Sequence, residues 1–177
     1  MKKITPLHIA VFVLAIFITG ILFFNTQDPE RIYIEVPVPT PVVEIVYVET
    51  DDGCSPYYAD IAASITQGDI DLVAGVTNLE AGNQSMAGKR AVIEVIFNRV
   101  KSDKFPNTVR DVIFQSGQFA TAKNLSIAKP TQEEYDAINM VLNESEPILD
   151  PDVLFFSTTG FKSRTTYDRI GGHVFCY

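Results

Sequence analysis

Apolar and polar positions divide the chain into three unlike stretches. From Leu7 to Phe24 the residues are almost all apolar, with no formal charge and His8 as the one ionisable side chain. Residues 25–52 break that run with prolines alternating among β-branched residues, as in Glu35-Val36-Pro37-Val38-Pro39-Thr40-Pro41-Val42. From about residue 53 onward apolar positions recur at helical spacing, and near the C-terminus they shorten to strand-like runs.

The first stretch is close to the roughly 20 residues that a bilayer-spanning helix needs. Lys2 and Lys3 precede it and Asp28 and Glu30 follow it, which orients the N-terminus toward the cytoplasm. This predicts a cytoplasmic segment 1–6 and a transmembrane signal-anchor over 7–24, with all that follows on the periplasmic or extracytoplasmic side of the inner membrane. A cleaved signal peptide is the rival reading. It fits less well, because the run ends Leu22-Phe23-Phe24-Asn25-Thr26 with no small-x-small site. Residues 25–52 read as a stalk. Alternating prolines disfavour helix and favour extended polyproline II, with an edge strand as a further reading from Val42 to Val48.

The remainder, 53–177, reads as one α+β domain, mainly helical with a small C-terminal sheet. Ser55-Pro56 is an N-cap and N1 pair predicting a helix to about Thr66, with Gly68 as its stop. Asp69 to Leu79 predicts a second helix that ends at Gly82-Asn83, with Ile70, Val73, Ala74 and Val76 inward. Ser85 caps a third, from Met86 to Val100, in which Ala91, Val92, Val95, Ile96 and Val100 mark the buried face. A short helical turn follows at Thr108 to Ile113. Thr131 and Glu134 form a capping box that opens a fourth helix to about Leu142. Val153 to Ser157 and Val174 to Tyr177 are the strand candidates, joined by a Gly- and Thr-rich segment.

Charge and composition then narrow the chemistry. Lys and Arg number 14 against 22 Asp and Glu, a formal charge of −8. Phosphate binding rests on clustered cations, so no nucleic-acid partner is expected. Only two histidines, His8 and His173, and two cysteines, Cys54 and Cys176, are present. His8 belongs to the apolar run and cannot join His173, so the supply of ligands for a zinc amidase or peptidase is too small and no metal or other cofactor is expected. Cys54 opens the domain and Cys176 nearly closes it. In an oxidising compartment the pair predicts a disulfide closing almost the whole domain, the alternative being two unpaired thiols.

Glu80 is the first candidate for chemistry. It falls in the last turn of the second predicted helix, where the negative end of the helix dipole favours a protonated carboxyl, the state a general acid needs. From position alone an exposed surface glutamate is the plainer reading. The surrounding residues change that. Asn78-Leu79-Glu80-Ala81-Gly82-Asn83-Gln84-Ser85-Met86-Ala87-Gly88, then Phe97-Asn98-Arg99-Val100, Phe105-Pro106-Asn107-Thr108-Val109, Gly117-Gln118-Phe119 and Ile170-Gly171-Gly172-His173-Val174-Phe175 stand in order along the domain. Together these blocks resemble the cell wall hydrolase family of the SleB-type spore cortex-lytic enzymes.

That resemblance implies a lysozyme-like fold and a peptidoglycan-degrading glycosidase acting on glycan strands. Glu80 would be the catalytic acid of a lytic transglycosylase cleaving the N-acetylmuramic acid–N-acetylglucosamine bond. For Gln118 and Phe119 two readings stand: a sugar-cleft pair, or a loop glutamine and a core phenylalanine. His173 is either a substrate contact or a structural histidine. Asn98 and Arg99 read as structural. Glu94 and Asp111 are further carboxylates that the sequence cannot place near Glu80. Many family members carry Arg-Gly-Glu where this chain has Gly82-Asn83-Gln84. Three alternatives follow: a muramoyl-alanine amidase, which lacks zinc ligands; a Cys/His peptidase, which the disulfide would exclude; and a non-catalytic peptidoglycan-binding protein on a hydrolase-like fold.

Overall fold

The computed structural model describes residues 55–177. The predicted span 7–24, the stalk 25–52 and Cys54 lie outside the described residues. Five α-helices, a 3₁₀ segment and three strands follow in order: α1 Ala59–Ala62, α2 Gln67–Ala81, α3 Met86–Lys101, α4 Val109–Phe114, the 3₁₀ segment Ala120–Ile127, α5 Gln132–Asn143, β1 Phe155–Ser157, β2 Thr166–Ile170 and β3 His173–Cys176. This is the mainly helical α+β domain that the pattern predicted.

Local chemistry explains most boundaries. Ser85 and Thr131 cap α3 and α5 as predicted, and Thr108 caps α4, which begins inside the predicted turn. Two differences lie at the start. Instead of a helix from Ser55-Pro56 to Thr66, only Ala59–Ala62 is α-helical, after Tyr58. Tyr58 is fully buried, its hydroxyl donating to Asn98 Oδ1 at 2.8 Å and its ring edge-on to Phe97, so the chain turns to serve the core first. Gly68 does not stop a helix but sits in the first turn of α2. Thr66 and Asp69 form a capping box there, Thr66 Oγ1 accepting from the Asp69 amide and the Asp69 carboxylate accepting from the Thr66 amide.

The sheet has order β1-β3-β2 and is antiparallel throughout. Phe156 faces Phe175, and Ile170 pairs with His173 across the two-residue turn Gly171-Gly172. β2 lies in the segment read as a Gly- and Thr-rich connection. Its side chains are mostly exposed and a bulge falls between Thr166 and Asp168, so no alternation marks it.

Two apolar clusters form the core. The larger lies among the helices, from Tyr58 and Ile70 through Ile96, Phe97 and Ile113 to Ile138 and Leu142. The smaller joins α3 to the sheet through Ala91, Val92, Val95, Leu149, Val153 and Phe175. Phe156 packs against both. Buried Lys89 spans α3 and α5, pairing with Glu133 at 2.6 Å and Glu134 at 2.7 Å. Cys176 is fully buried and has no disulfide partner among the described residues; its expected partner, Cys54, lies outside them.

A polar line on α3 attaches the chain that leads into the sheet. Glu94 accepts from the Ile148 and Leu149 amides at 3.2 and 2.8 Å. Asn98 Nδ2 donates to the Asp150 and Val153 carbonyls at 3.0 and 3.2 Å, and Arg99 Nε to the Leu154 carbonyl at 2.8 Å. Arg99 is buried, with Phe105, Phe119 and Phe155 within 4.9–5.6 Å of its guanidinium carbon. Burial, and secondarily the like charge of Arg164, lowers its pKa to about 10. Aromatic faces compensate a guanidinium that no carboxylate pairs with among the described residues.

Glu94 is fully buried, and desolvation raises its pKa to about 7 against the lowering effect of its two amide donors and Arg90. The ordinary value is 4.5, so between there and about 7 the folded protein keeps a proton that the unfolded chain has lost. The stability this group contributes is complete below the unfolded value and is lost as pH rises through the folded one, about 3 kcal/mol in all. Glu94→Gln is expected to flatten the fall in unfolding free energy of the wild type between about pH 5 and pH 8, as read by urea titration at each pH.

Candidate active site

An open cleft of about 600 Å³ lies between the C-terminal end of α2 and the β2–β3 turn. Asn78 and Glu80 line it from α2, Asn83 and Gln84 from the connection to α3, Thr158 from just past β1, Gly172 from the β2–β3 turn and His173 from β3. Paired residues of an antiparallel sheet share a face, as do residues two apart, so Phe156 looks the same way as Phe175 and His173. The Phe156 ring lies 5.2 Å from the imidazole.

Glu80 is half-buried in the last turn of α2, where sequence placed it. Thr121 Oγ1 donates to Glu80 Oε1 at 2.5 Å. That hydroxyl comes from the 3₁₀ segment, which itself buries no residue. Beyond Thr121, the segment is held on α2 by Leu125, which packs on Gly75, and by the Lys129 amide donating to Asn78 Oδ1 at 3.1 Å. A side-chain carbon on Gly75 would stand 2.8 Å from Leu125. The glycine is thus the notch that lets the segment close on Glu80.

His173 is 5% exposed and lines the cleft. Burial lowers its pKa, while the charge of Glu80 pulls it the other way. Its Nδ1 is enclosed and has no hydrogen-bond partner. The neighbouring turn is clamped by Gln84, whose Oε1 accepts from the Gly172 amide at 2.7 Å and whose Nε2 donates to Asn83 Oδ1 at 2.8 Å.

Not every residue singled out from sequence reaches this cleft. Phe119 is 6% exposed and belongs to the helical core, packed on Arg99 and 6.2 Å from Phe156. Gln118 is half-buried outside the cleft lining, and its backbone amide donates to the Gln115 carbonyl. Glu94 spends both carboxylate oxygens on the amides of 148 and 149, and Asp111 caps α4 with Thr108. Neither faces Glu80. Asn98 and Arg99 act as structural residues, holding the chain into β1. Sequence reasoning missed Thr121 and Thr158, and noted Gln84 only as a departure. The two threonines carry no local signal, because a 3₁₀ segment and the sheet bring them to the site.

Comparison with known proteins decides the family. The family profile described as Cell Wall Hydrolase matches residues 83–176, more than half of the chain. This chain belongs to the cell wall hydrolase family. Glu80 stands just before that match. Among curated relatives, the spore cortex-lytic enzyme of Oceanobacillus iheyensis is 31% identical over 134 residues, covering 71% of this chain and 47% of that protein. That of Halalkalibacterium halodurans is 33% identical over 125 residues, covering 66% and 37%. The chain therefore spans less than half the length of either relative. Among solved structures, the catalytic domain of the germination-specific lytic transglycosylase SleB from Bacillus anthracis is 30% identical with a TM-score of 0.55, covering 64% of this chain and 98% of that one. The catalytic domain of Bacillus cereus SleB is 31% identical with a TM-score of 0.56, over 64% and 93%. The helical domain with its three-stranded sheet is thus the fold of these hydrolase catalytic domains.

The β2–β3 turn provides a direct test of this geometry. Gly171 has φ +59°, and a side-chain carbon there would meet Gln84 Oε1 at 2.6 Å. Gly171→Ala is expected to cost about 1–3 kcal/mol in denaturant unfolding. Gly68→Ala, whose nearest neighbour would be Thr66 Oγ1 at 3.7 Å, is expected to be neutral or stabilising by up to about 1 kcal/mol.

Proposed function

We propose that this chain cuts the glycan strands of peptidoglycan as a lytic transglycosylase, with Glu80 as its acid and then its base. The observation that carries this is a half-buried carboxylate at the end of α2, fixed by Thr121 and opening on a cleft walled by His173. The relatives' names and the catalytic-domain fold support the same chemistry.

The hydroxyl of Thr121 occupies Oε1 and so sets the carboxyl rotamer, leaving the other oxygen for substrate. In the first step Glu80 gives its proton to the glycosidic oxygen between N-acetylmuramic acid and N-acetylglucosamine as the C1–O bond breaks. The carboxylate left behind then takes the proton of the muramic 6-hydroxyl. That oxygen bonds to C1 and closes a 1,6-anhydro ring. Both protons pass through one group, so no second carboxylate is required, unlike the paired-carboxylate glycosidases. This fits a cleft in which Glu94 and Asp111 are engaged elsewhere.

The N-terminal stretch 7–24 extends the reading to location: a membrane anchor and a stalk over 25–52 would hold the domain on the extracytoplasmic side, next to the wall. Cys54 would close a disulfide with Cys176 in that compartment. Non-reducing electrophoresis of the protein exported to the periplasm, before and after reduction, checks the bond; unchanged mobility argues for two thiols.

The test of the activity is mass spectrometry of products from purified sacculi treated with the full chain. Anhydro-muramic ends are expected, and Glu80→Gln is expected to abolish them. Thr121→Val should slow their release about tenfold, and Thr121→Ser should restore it, since a lost hydrogen bond to a charged group is worth roughly 1.5 kcal/mol or more. Reducing ends would mean hydrolysis by water, and released stem peptides would mean an amidase. Binding without products would mean a non-catalytic wall protein.

A further inference from the structure

His173 is a buried polar group whose hydrogen bonding is incomplete within the protein, and it stands in the cleft. Its ring is 5% exposed, edge-on to Phe156 at 5.2 Å and Phe175 at 6.3 Å, and Nδ1 is enclosed with no partner. Burial keeps the ring neutral against the charge of Glu80, which is the one charged group acting on it. A neutral imidazole has a single N–H. On Nδ1 that proton would be a buried donor without an acceptor, the rarer and costlier kind of unpaired group. The proton therefore belongs on Nε2, the ring's other polar atom, and the residue itself lines the cleft.

The choice of acceptor follows from what a donor-only group beside a carboxylate can bind. An anionic acceptor would stand next to Glu80 in a chain of net charge −8, and hydroxyls and ring oxygens are weaker acceptors. An amide carbonyl is neutral and strong. Glycan strands carry one on each acetamido group, and stem peptides carry others. Resting on the glycosidase reading above, we propose that His173 presents a fixed Nε2–H donor to the acetamido carbonyl of the sugar bound beside Glu80, and so selects N-acetylated over N-deacetylated glycan. Gln84 serves this indirectly, since its clamp on Gly172 fixes the residue next to His173.

The experiment compares the full chain with His173→Phe, which keeps a flat ring without a donor, and His173→Gln, which restores an N–H. Each is assayed on native sacculi, on N-deacetylated sacculi and on sacculi stripped of stem peptides. His173→Phe is expected to lower kcat/KM about tenfold on native and peptide-free glycan and to leave the rate on deacetylated glycan nearly unchanged. His173→Gln should recover part of the loss. A loss of equal size on deacetylated glycan, or one that disappears with the peptides, overturns the acetamido assignment while wild-type cutting still upholds the glycosidase reading. Wild-type protein that releases no glycan products removes both. Histidine ¹⁵N spectra of the full chain, with His173 assigned from the Gln variant, give a readout independent of turnover. A neutral ring protonated on Nε2 is expected at pH 7, and a proton on Nδ1 or a charged ring contradicts the proposal.

Discussion

The hold of α3 on the irregular chain between 147 and 154 is the contact on which the rest of this domain depends. That segment buries Leu149, Val153 and Leu154 on either side of an exposed turn at 150–152 and has no helix or strand of its own, and buried amides and carbonyls need partners. Glu94 supplies acceptors for two amides, Asn98 donates to two carbonyls, and Arg99 donates to a third. Residues 94 and 98 are one helical turn apart and so share a face. Because the segment feeds straight into β1, the same contacts fix the sheet, which carries His173 to the cleft and sets the chain that leaves β1 at Thr158 beside it. Charged and amide side chains in the core thus act as a frame, and the apolar clusters on either side fill it.

Opposite that wall, Glu80 is positioned with few parts. One end of α2 carries it, one hydroxyl fixes its rotamer, and one glycine admits the segment that brings the hydroxyl. The departure at Gly82-Asn83-Gln84 has a structural use. The Gln84 side chain accepts from the Gly172 amide with one atom and donates to Asn83 with the other. A carboxylate at 84 offers acceptors alone and could not make both bonds. The amide belongs with Asn83 as a pair, and it joins the two sides of the cleft without adding a second charge near Glu80.

Much of this was legible in the sequence where the signal was local. Ser85 and the Thr131–Glu134 box mark their helices because capping is a short-range hydrogen bond. The place of Glu80 in the last turn of α2 was legible from Gly82-Asn83, which ends the helical pattern. What sequence missed depends on long-range contacts. β2 exposes most of its side chains, so no alternation reveals it. Gly68 is a local exception: it reads as a breaker until the Thr66–Asp69 box is seen to enclose it. Phe119 lies beside Gln118 in a block that suggests a sugar site, yet its ring is committed to Arg99 and Phe156. Thr121 reaches Glu80 from 41 positions away through a segment without buried residues, and no periodicity announces such a contact.

The central claim is that a glycan strand lies between the end of α2 and the β2–β3 turn with its scissile bond at Glu80. A crystal structure of Glu80→Gln with a bound peptidoglycan oligosaccharide tests it most directly. The account predicts the bridging oxygen within hydrogen-bond distance of residue 80, with a sugar against Thr158 and His173. An oligosaccharide seated elsewhere on the domain, with the cleft empty, would contradict it.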